Sequence, residues 1–229
     1  MFKKFNFKDD VASQSQVKSS VQRAIRTKLL EQYPNLESVI EEILPKKAHV
    51  VLVKCHEHIN LLMLNNEILF FQRFDGPYYP TLRLVHKYPT LFPRVQVDRG
   101  AIKFILSGAN IMAPGLTSAG AKMEEDLPVD SIAAVYAEGK EHALSIGLLK
   151  MSTENIRQIN KGIAVDNVHH LGDALWTCAQ LTIGFAYMMQ VTVQQSAAWG
   201  AADVYTKCCQ YSFQSDQLHQ PLLPSGPNA

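Results

Sequence analysis

Two groups of residues in this chain have the types and spacing to do chemistry. The first is His56-Glu57-His58, two imidazoles around a carboxylate, which invites a metal reading because positions i and i+2 of a strand point the same way. The spacing falls short of the zinc-protease helix, whose closing histidine stands four residues after the first; here that position is Asn60. With no third ligand nearby in sequence, the pair is expected to make hairpin hydrogen bonds, and no metal is assigned. The second group is Arg83, Lys87, Arg94, Arg99 and Lys103, set against a single acid, Asp98. Tyr78, Tyr79, Tyr88, Phe92 and Phe104 interleave with or flank these charges. Cations beside π-faces suit the backbone and exposed bases of RNA. A solvated rim over core aromatics has the same composition, and the residues alone leave the two readings open.

Catalysis has less to stand on. Gly100, Gly108, Gly115 and Gly120 match neither the dinucleotide-binding nor the phosphate-loop pattern, and no G-x-S-x-G elbow is present. Cys55, Cys178, Cys208 and Cys209 form neither a C-x-x-C pair nor a spaced framework, so a zinc knuckle and a secreted disulfide scaffold are both disfavoured. A reducing, cytoplasmic setting is the expectation, with no cofactor and no enzyme activity. Met1 to Asp10 has no apolar core behind its lysines, which argues against a secretory signal.

The elements that must position these residues can be read from periodicity. A 47% hydrophobic composition over 229 residues supports a buried core in one large or two small domains. The net charge of +1 gives no global reason to expect nucleic acid, so local charge decides. Val17, Val21, Ile25 and Leu29 recur every four residues and predict an amphipathic helix ending near Tyr33-Pro34. Leu36, Val39, Ile40 and Ile43 repeat the pattern up to Pro45. Three apolar runs at Val50 to Cys55, Ile59 to Leu64 and Ile68 to Phe74 predict an antiparallel meander. Pro77, Pro80, Pro89 and Pro93 then limit helix to Thr81 to Tyr88 and mark a domain boundary near residues 91 to 93.

Val97 to Leu116 reads as a short helix, a buried strand and a Pro-Gly turn. Val97, Ala101, Phe104 and Ile105 fall on one helical face, with Asp98 at the start and Gly108 closing it. Strands are predicted at Ser131 to Ala137, Ala143 to Leu149 and Ile163 to Val168, and a helix from the N-cap Ser152 to Lys161 with Gly162 as its left-handed stop. The fold class is therefore α+β: an N-terminal helix-plus-meander domain over 1–92, a second barrel-like domain over 93–176, and a tail over 177–229.

Specific motifs now add a resemblance. D-x-G-A at Asp98 to Ala101, S-G-A-N at Ser107 to Asn110 and M-x-P-G-L at Met112 to Leu116 resemble the opening of a PUA domain, a small RNA-binding pseudo-barrel. MFKKF at the N-terminus, PKK at Pro45 to Lys47, CHEHI at Cys55 to Ile59 and GPYYPTLRLVHKYP at Gly76 to Pro89 narrow the likeness. With AEGKEHAL at Ala137 to Leu144 and NKGI at Asn160 to Ile163, they resemble the malignant T-cell-amplified sequence family of translation factors.

The resemblance implies a PUA pseudo-barrel and a non-catalytic factor that pairs with density-regulated protein. It implies binding to small-subunit rRNA and to the acceptor end of tRNA, in reinitiation and post-termination recycling. Carried over by position, the RNA face includes Lys103, Ser107, Gly108, Ala109, Asn110, Met112, Gly115 and Leu116, with Lys122, Lys140 and His142 at its rim. PUA domains also occur in RNA-modification enzymes, which is the alternative; a first domain of about 90 residues without a catalytic motif speaks against it.

The resemblance stops after Trp176. From Thr182 onward there are one Lys, two Asp and seven Gln, and no charge lies between Asp173 and Asp203. An uncharged run of that length raises a membrane anchor. Gln180, Gln190, Gln194 and Gln195 interrupt it and no basic cluster flanks it, so a poorly ordered tail is expected and no membrane is assigned.

Overall fold

The computed structural model describes Phe2 and residues 5–178, except the side chains of 7 and 8. The chain opens with a one-turn helix α1 (Phe7–Asp10) and an edge strand β1 (Val11–Gln16). The polar VASQSQ of β1 gave no apolar signal, and its residues are mostly exposed. Helix α2 (Ser19–Gln32) follows, then a 3-10 turn (Pro34–Ser38) and α3 (Ile40–Ile43). The meander is β2 (Val51–Cys55), β3 (Ile59–Leu64), β4 (Glu67–Arg73) and the short β5 (Tyr78–Pro80), after which comes α4 (Leu82–Lys87). These strands form one antiparallel sheet in the order β1-β2-β3-β4-β5. Pro80 is tolerated because β5 lies at the sheet edge, where a missing N–H interrupts no ladder.

The predicted buried stripe of α2 is only half right. Ile25 and Leu29 are in the core, but Val17 precedes the helix and Val21 is 46% exposed. Gln22 and Arg26 take the inner positions instead. Gln22 Nε2 donates to the Pro45 carbonyl at 2.7 Å, Arg26 Nη1 to the Leu44 carbonyl, and Arg26 Nη2 to Glu41 Oε1 at 2.6 Å. The carbonyls just beyond α3 have no helical partner, so the polar side chains of α2 satisfy them.

The second half carries β6 (Arg94–Val97), a 3-10 turn (Arg99–Ala101), α5 (Ile102–Leu106), β7 (Ile111–Met112) and α6 (Pro114–Thr117). It continues with β8 (Ile132–Ala137), β9 (Ser145–Leu149), α7 (Thr153–Ile159) and β10 (Ile163–His170). These strands make a second sheet ordered β6-β8-β9-β10-β7, in which only β6 and β8 run parallel. Val97 therefore ends a strand rather than opening a helix, and Pro114-Gly115 starts a helical turn. Ser152 caps α7 as expected, accepting from Asn155 N at 3.2 Å. Its C-cap is Asn160 at φ 47°, two residues before the glycine expected there.

Strand β8 explains how the two halves hold together. Its IAAVYA sequence is buried on both faces. Ile132, Ala134 and Tyr136 join the core built by α2 and the meander, whereas Ala133, Val135 and Ala137 join the core under α5 and α7. An uninterrupted apolar strand is what a sheet covered on both sides requires. In β9, Gly147 gives β10 its close approach: an added Cβ would run into the Val165 side chain and lie 3.1 Å from the Asp166 carbonyl. Among the described residues no helix is long and apolar enough to cross a membrane. Beyond residue 178 the expectations for the tail fall outside the described residues.

Candidate nucleic-acid interface

The predicted docking segment folds as a turn clamped from behind. Asp98 follows β6 and accepts from Gly100 N at 3.2 Å, capping the 3-10 turn that leads into α5. Only Ile105 of α5 is buried. At the other end Ser107 Oγ donates to the Phe104 carbonyl at 2.7 Å, and Gly108 turns the chain out at φ 79°. A left-handed exit of that kind is glycine's usual role after a helix.

Asn167 on β10 holds the turn in place. Its Nδ2 donates to the carbonyls of Ile105 at 3.0 Å and Ala109 at 3.1 Å, and its backbone N–H donates to Asn110 Oδ1 at 3.1 Å. Asn110 Nδ2 donates to Asp166 Oδ1 at 3.1 Å, and Lys150 Nζ lies 3.4 Å from the same carboxylate. Sequence reasoning missed Asn167, Asp166 and Lys150, because the partners of Asn167 and Asp166 on the turn lie 56 to 62 positions earlier and Lys150 meets Asp166 only through the β9–β10 pairing. Asn110 is thus spent on internal bonds rather than wholly free for a ligand.

The face in front of this clamp combines cation and apolar surface. Lys103 is exposed, with Nζ 4.9 Å from the centre of the Phe104 ring. Phe104 shares the apolar face of its helix with Ile105 yet is 57% exposed, because a five-residue helix has room for one inward residue. Met112 and Ile163 are cross-strand neighbours, 50% and 45% exposed. Directly paired apolar side chains left in water are unusual enough to mark a contact surface. Ser107 and Lys122 are exposed, and Gly108, Ala109 and Gly115 are half-buried. Leu116 is a correction: it sits in the second core and presents no side chain to a ligand.

The remaining expected contacts fall into separate groups. Arg99 and Lys140 flank the turn after β8, where Arg99 Nε lies 3.6 Å from Glu138 Oε2. Arg94 stacks on Tyr136, its guanidinium 5.2 Å from a ring that belongs to the first core, so it faces the first domain. Lys87 lies 3.9 Å from Glu42 Oε1. His142 is exposed but its ring sits 5.0 Å from that of His86 on α4. Arg83 is the clearest departure. Its Nε and Nη2 are buried without a hydrogen-bond partner, its guanidinium lies 4.7 Å from the Trp176 ring, and burial lowers its pKa. The basic stretch that looked continuous in sequence is split between the front face and the junction of the two halves.

Trp176 stands on a helical turn over residues 174–178, whose start is fixed by Asp173. Asp173 Oδ1 accepts from Trp176 N at 2.9 Å, and Oδ2 accepts from His170 N at 3.1 Å. His169 Nδ1 lies 2.7 Å from Oδ2, with both side chains almost wholly buried. Burial by itself would raise the Asp173 pKa, but the hydrogen bond and charge of His169 and the two backbone N–H groups together hold it below the usual value. The His169 ring packs edge-on against Phe2 and Phe71, which ties β10 to the first domain. At the same junction burial lowers the His86 pKa; the Ala143 carbonyl opposes this, and His142, Arg83 and His169 add to it. Among the described residues no group of three His, Cys, Asp or Glu side chains could hold a metal. His56 and His58 lie in a 3-10 turn, not on a strand.

Comparison with known proteins now bears on what this face is. A model of the Pre-PUA-like domain matches residues 5–89, and one of the PUA domain matches residues 93–171. The malignant T-cell-amplified sequence 1 homolog of Dictyostelium discoideum is 58% identical over 181 residues, covering 79% of this chain and all of the relative. The chain belongs to the malignant T-cell-amplified sequence family. Human malignant T-cell-amplified sequence 2 is 54% identical over 176 residues, 77% of this chain and 97% of its own. Translation machinery-associated protein 20 of Eremothecium gossypii is 57% identical over 178 residues, again 77% of this chain and 97% of the relative. A hypothetical protein of Pyrococcus horikoshii shares the fold at a TM-score of 0.61 and 25% identity, over 73% of this chain and 99% of that one. A PUA-domain protein of Aeropyrum pernix does so at a TM-score of 0.56 and 23% identity, over 73% and 91%. The α+β class and the PUA pseudo-barrel expected for a member of this family are therefore present, and the clamped turn of residues 98–116 lies inside the matched PUA segment.

Proposed function

We propose that this member of the family is a non-catalytic RNA-binding translation factor of the cytoplasm. It acts on the small ribosomal subunit together with density-regulated protein, in reinitiation and in post-termination tRNA and ribosome recycling. The domain division is 1–92 for the partner-holding half and 93–176 for the RNA-binding half. The observation that carries the reading is the pairing of exposed Lys103 and Phe104 on a turn fixed by Asn167. A cation held over an exposed ring offers charge to phosphate and a stacking surface to an unpaired base. Gly108, Ala109 and Gly115 leave the neighbouring backbone low enough for close approach. A relative named as translation machinery-associated supports the assignment to translation. Lys122, Lys140 and Arg99 would add salt-dependent attraction at the rim.

Co-sedimentation with purified small subunits, with and without purified density-regulated protein, tests the proposal. Binding that falls steeply with salt and is strengthened by the partner is expected. No sedimentation in either case refutes it, as does turnover of nucleosides when the chain is incubated with total tRNA.

A further inference from the structure

Among the described residues, three non-glycine residues other than Asn or Asp hold a left-handed backbone, Glu57 and His58 at φ 58° and Phe74 at φ 52°, and all three meet at one corner of the first sheet. For a side chain with a Cβ that conformation costs roughly 1–2 kcal/mol per residue, and such strain persists where the surroundings impose it for use. The bracing is visible. The turn of residues 56–58 and the start of the loop after β4 are joined by Phe74 N–H donating to the His58 carbonyl at 2.8 Å. The two rings stack, with centroids 4.9 Å apart and planes 23° from parallel.

The braced corner hides nothing. Phe74 remains 57% exposed and His58 is exposed, so the strain is not repaid by burying either ring. The Arg73 guanidinium lies 5.5 Å from the Phe74 ring centre, and the exposed carboxylates Glu57 and Asp75 flank the pair without an ion pair among the described residues. A rigid exposed aromatic beside an arginine is the composition of an interface anchor. With two carboxylates to one guanidinium, the rim repels a phosphate backbone and attracts basic side chains.

We infer that the Phe74 corner is a protein-docking site, taking a segment that lays an apolar side chain beside the Phe74 and His58 rings and sets a Lys or Arg against Glu57 and Asp75. It lies on the Pre-PUA half, apart from the turn of residues 98–116. The inference rests on the reading that this half holds the protein partner, and the test separates the two.

Titration calorimetry of the full chain with purified density-regulated protein compares wild type with Phe74→Gly and with the double change Glu57→Gln/Asp75→Asn. Phe74→Gly removes the anchor and relaxes a left-handed residue, so affinity falls about 30-fold or more while the melting temperature holds or rises. The double change weakens affinity and flattens its dependence on salt. If wild type itself does not bind, the partner reading fails. If wild type binds and neither variant weakens it, the corner is not the docking site. If Phe74→Gly instead weakens binding to small subunits in the absence of the partner, the corner is an RNA contact and the inference is overturned.

Discussion

Replacing Asp173 with Asn tests whether the Asp173–His169 pair holds the PUA half to the rest of the chain. The carboxylate accepts three hydrogen bonds, from His169 Nδ1 at 2.7 Å, His170 N at 3.1 Å and Trp176 N at 2.9 Å, using both oxygens. A carboxamide has one oxygen, so at least one backbone N–H must face an NH2 group. One charge-assisted bond is worth roughly 1.5–3 kcal/mol, and a buried donor left unsatisfied costs about 1–3 kcal/mol. The side chain is 2% exposed, so solvent screening relieves little of this. A loss of about 3 kcal/mol follows, which for a domain of this size lowers Tm by roughly 6–12 °C.

The pH dependence has a definite sign. Because the folded pKa of Asp173 lies below its usual 3.8, its stabilisation is fully present above that value and is lost only as pH falls through the folded pKa. Differential scanning calorimetry of wild type and Asp173→Asn should therefore show a gap in Tm that is constant between about pH 8 and 5 on this residue's account and closes in stronger acid. A gap below about 1 °C at pH 7 would refute the reasoning, as would one that closes as pH rises.

Other substitutions probe the interface and its support. Gly147→Val should destabilise the chain by about 1–3 kcal/mol, since the new side chain meets Val165 and the Asp166 carbonyl, and urea titration would show it as a lower midpoint. Asn167→Ala removes the donors to Ile105 and Ala109, and should cost about 1–3 kcal/mol and weaken RNA binding together, read by melting and by filter binding. Phe104→Ala should leave Tm nearly unchanged because the ring is exposed, yet reduce RNA affinity by about 1–3 kcal/mol. Lys103→Glu should weaken binding across sequences and lower the magnitude of the salt slope by about one ion or more.

Local physics made several elements legible without coordinates. The strands at Val51–Cys55, Ile59–Leu64 and Glu67–Arg73 were readable because apolar runs between polar turns fix a strand wherever they are buried. The cap at Ser152 was readable because it needs only the N–H three residues on. The motifs from Asp98 to Leu116 identified the PUA segment and its exposed turn, since a tight turn is specified by the residues within it.

Distant pairing was decided only in three dimensions. Val21 and Phe104 lie on the apolar faces of their helices yet are exposed, because periodicity reports which residues lie on one side of a helix, not whether anything covers that side. Arg83 belonged to a basic run in sequence, but its guanidinium lies against Trp176, some ninety residues later, with Nε and Nη2 buried. The same holds for Asn167, whose NH2 group donates to carbonyls across the fold, and for β8, whose alternate residues serve two different cores. Sequence by itself settled the family, the fold class and the strands of the meander, because those depend on neighbours along the chain. Tertiary structure settled which cations and rings meet solvent, because exposure depends on what packs against them.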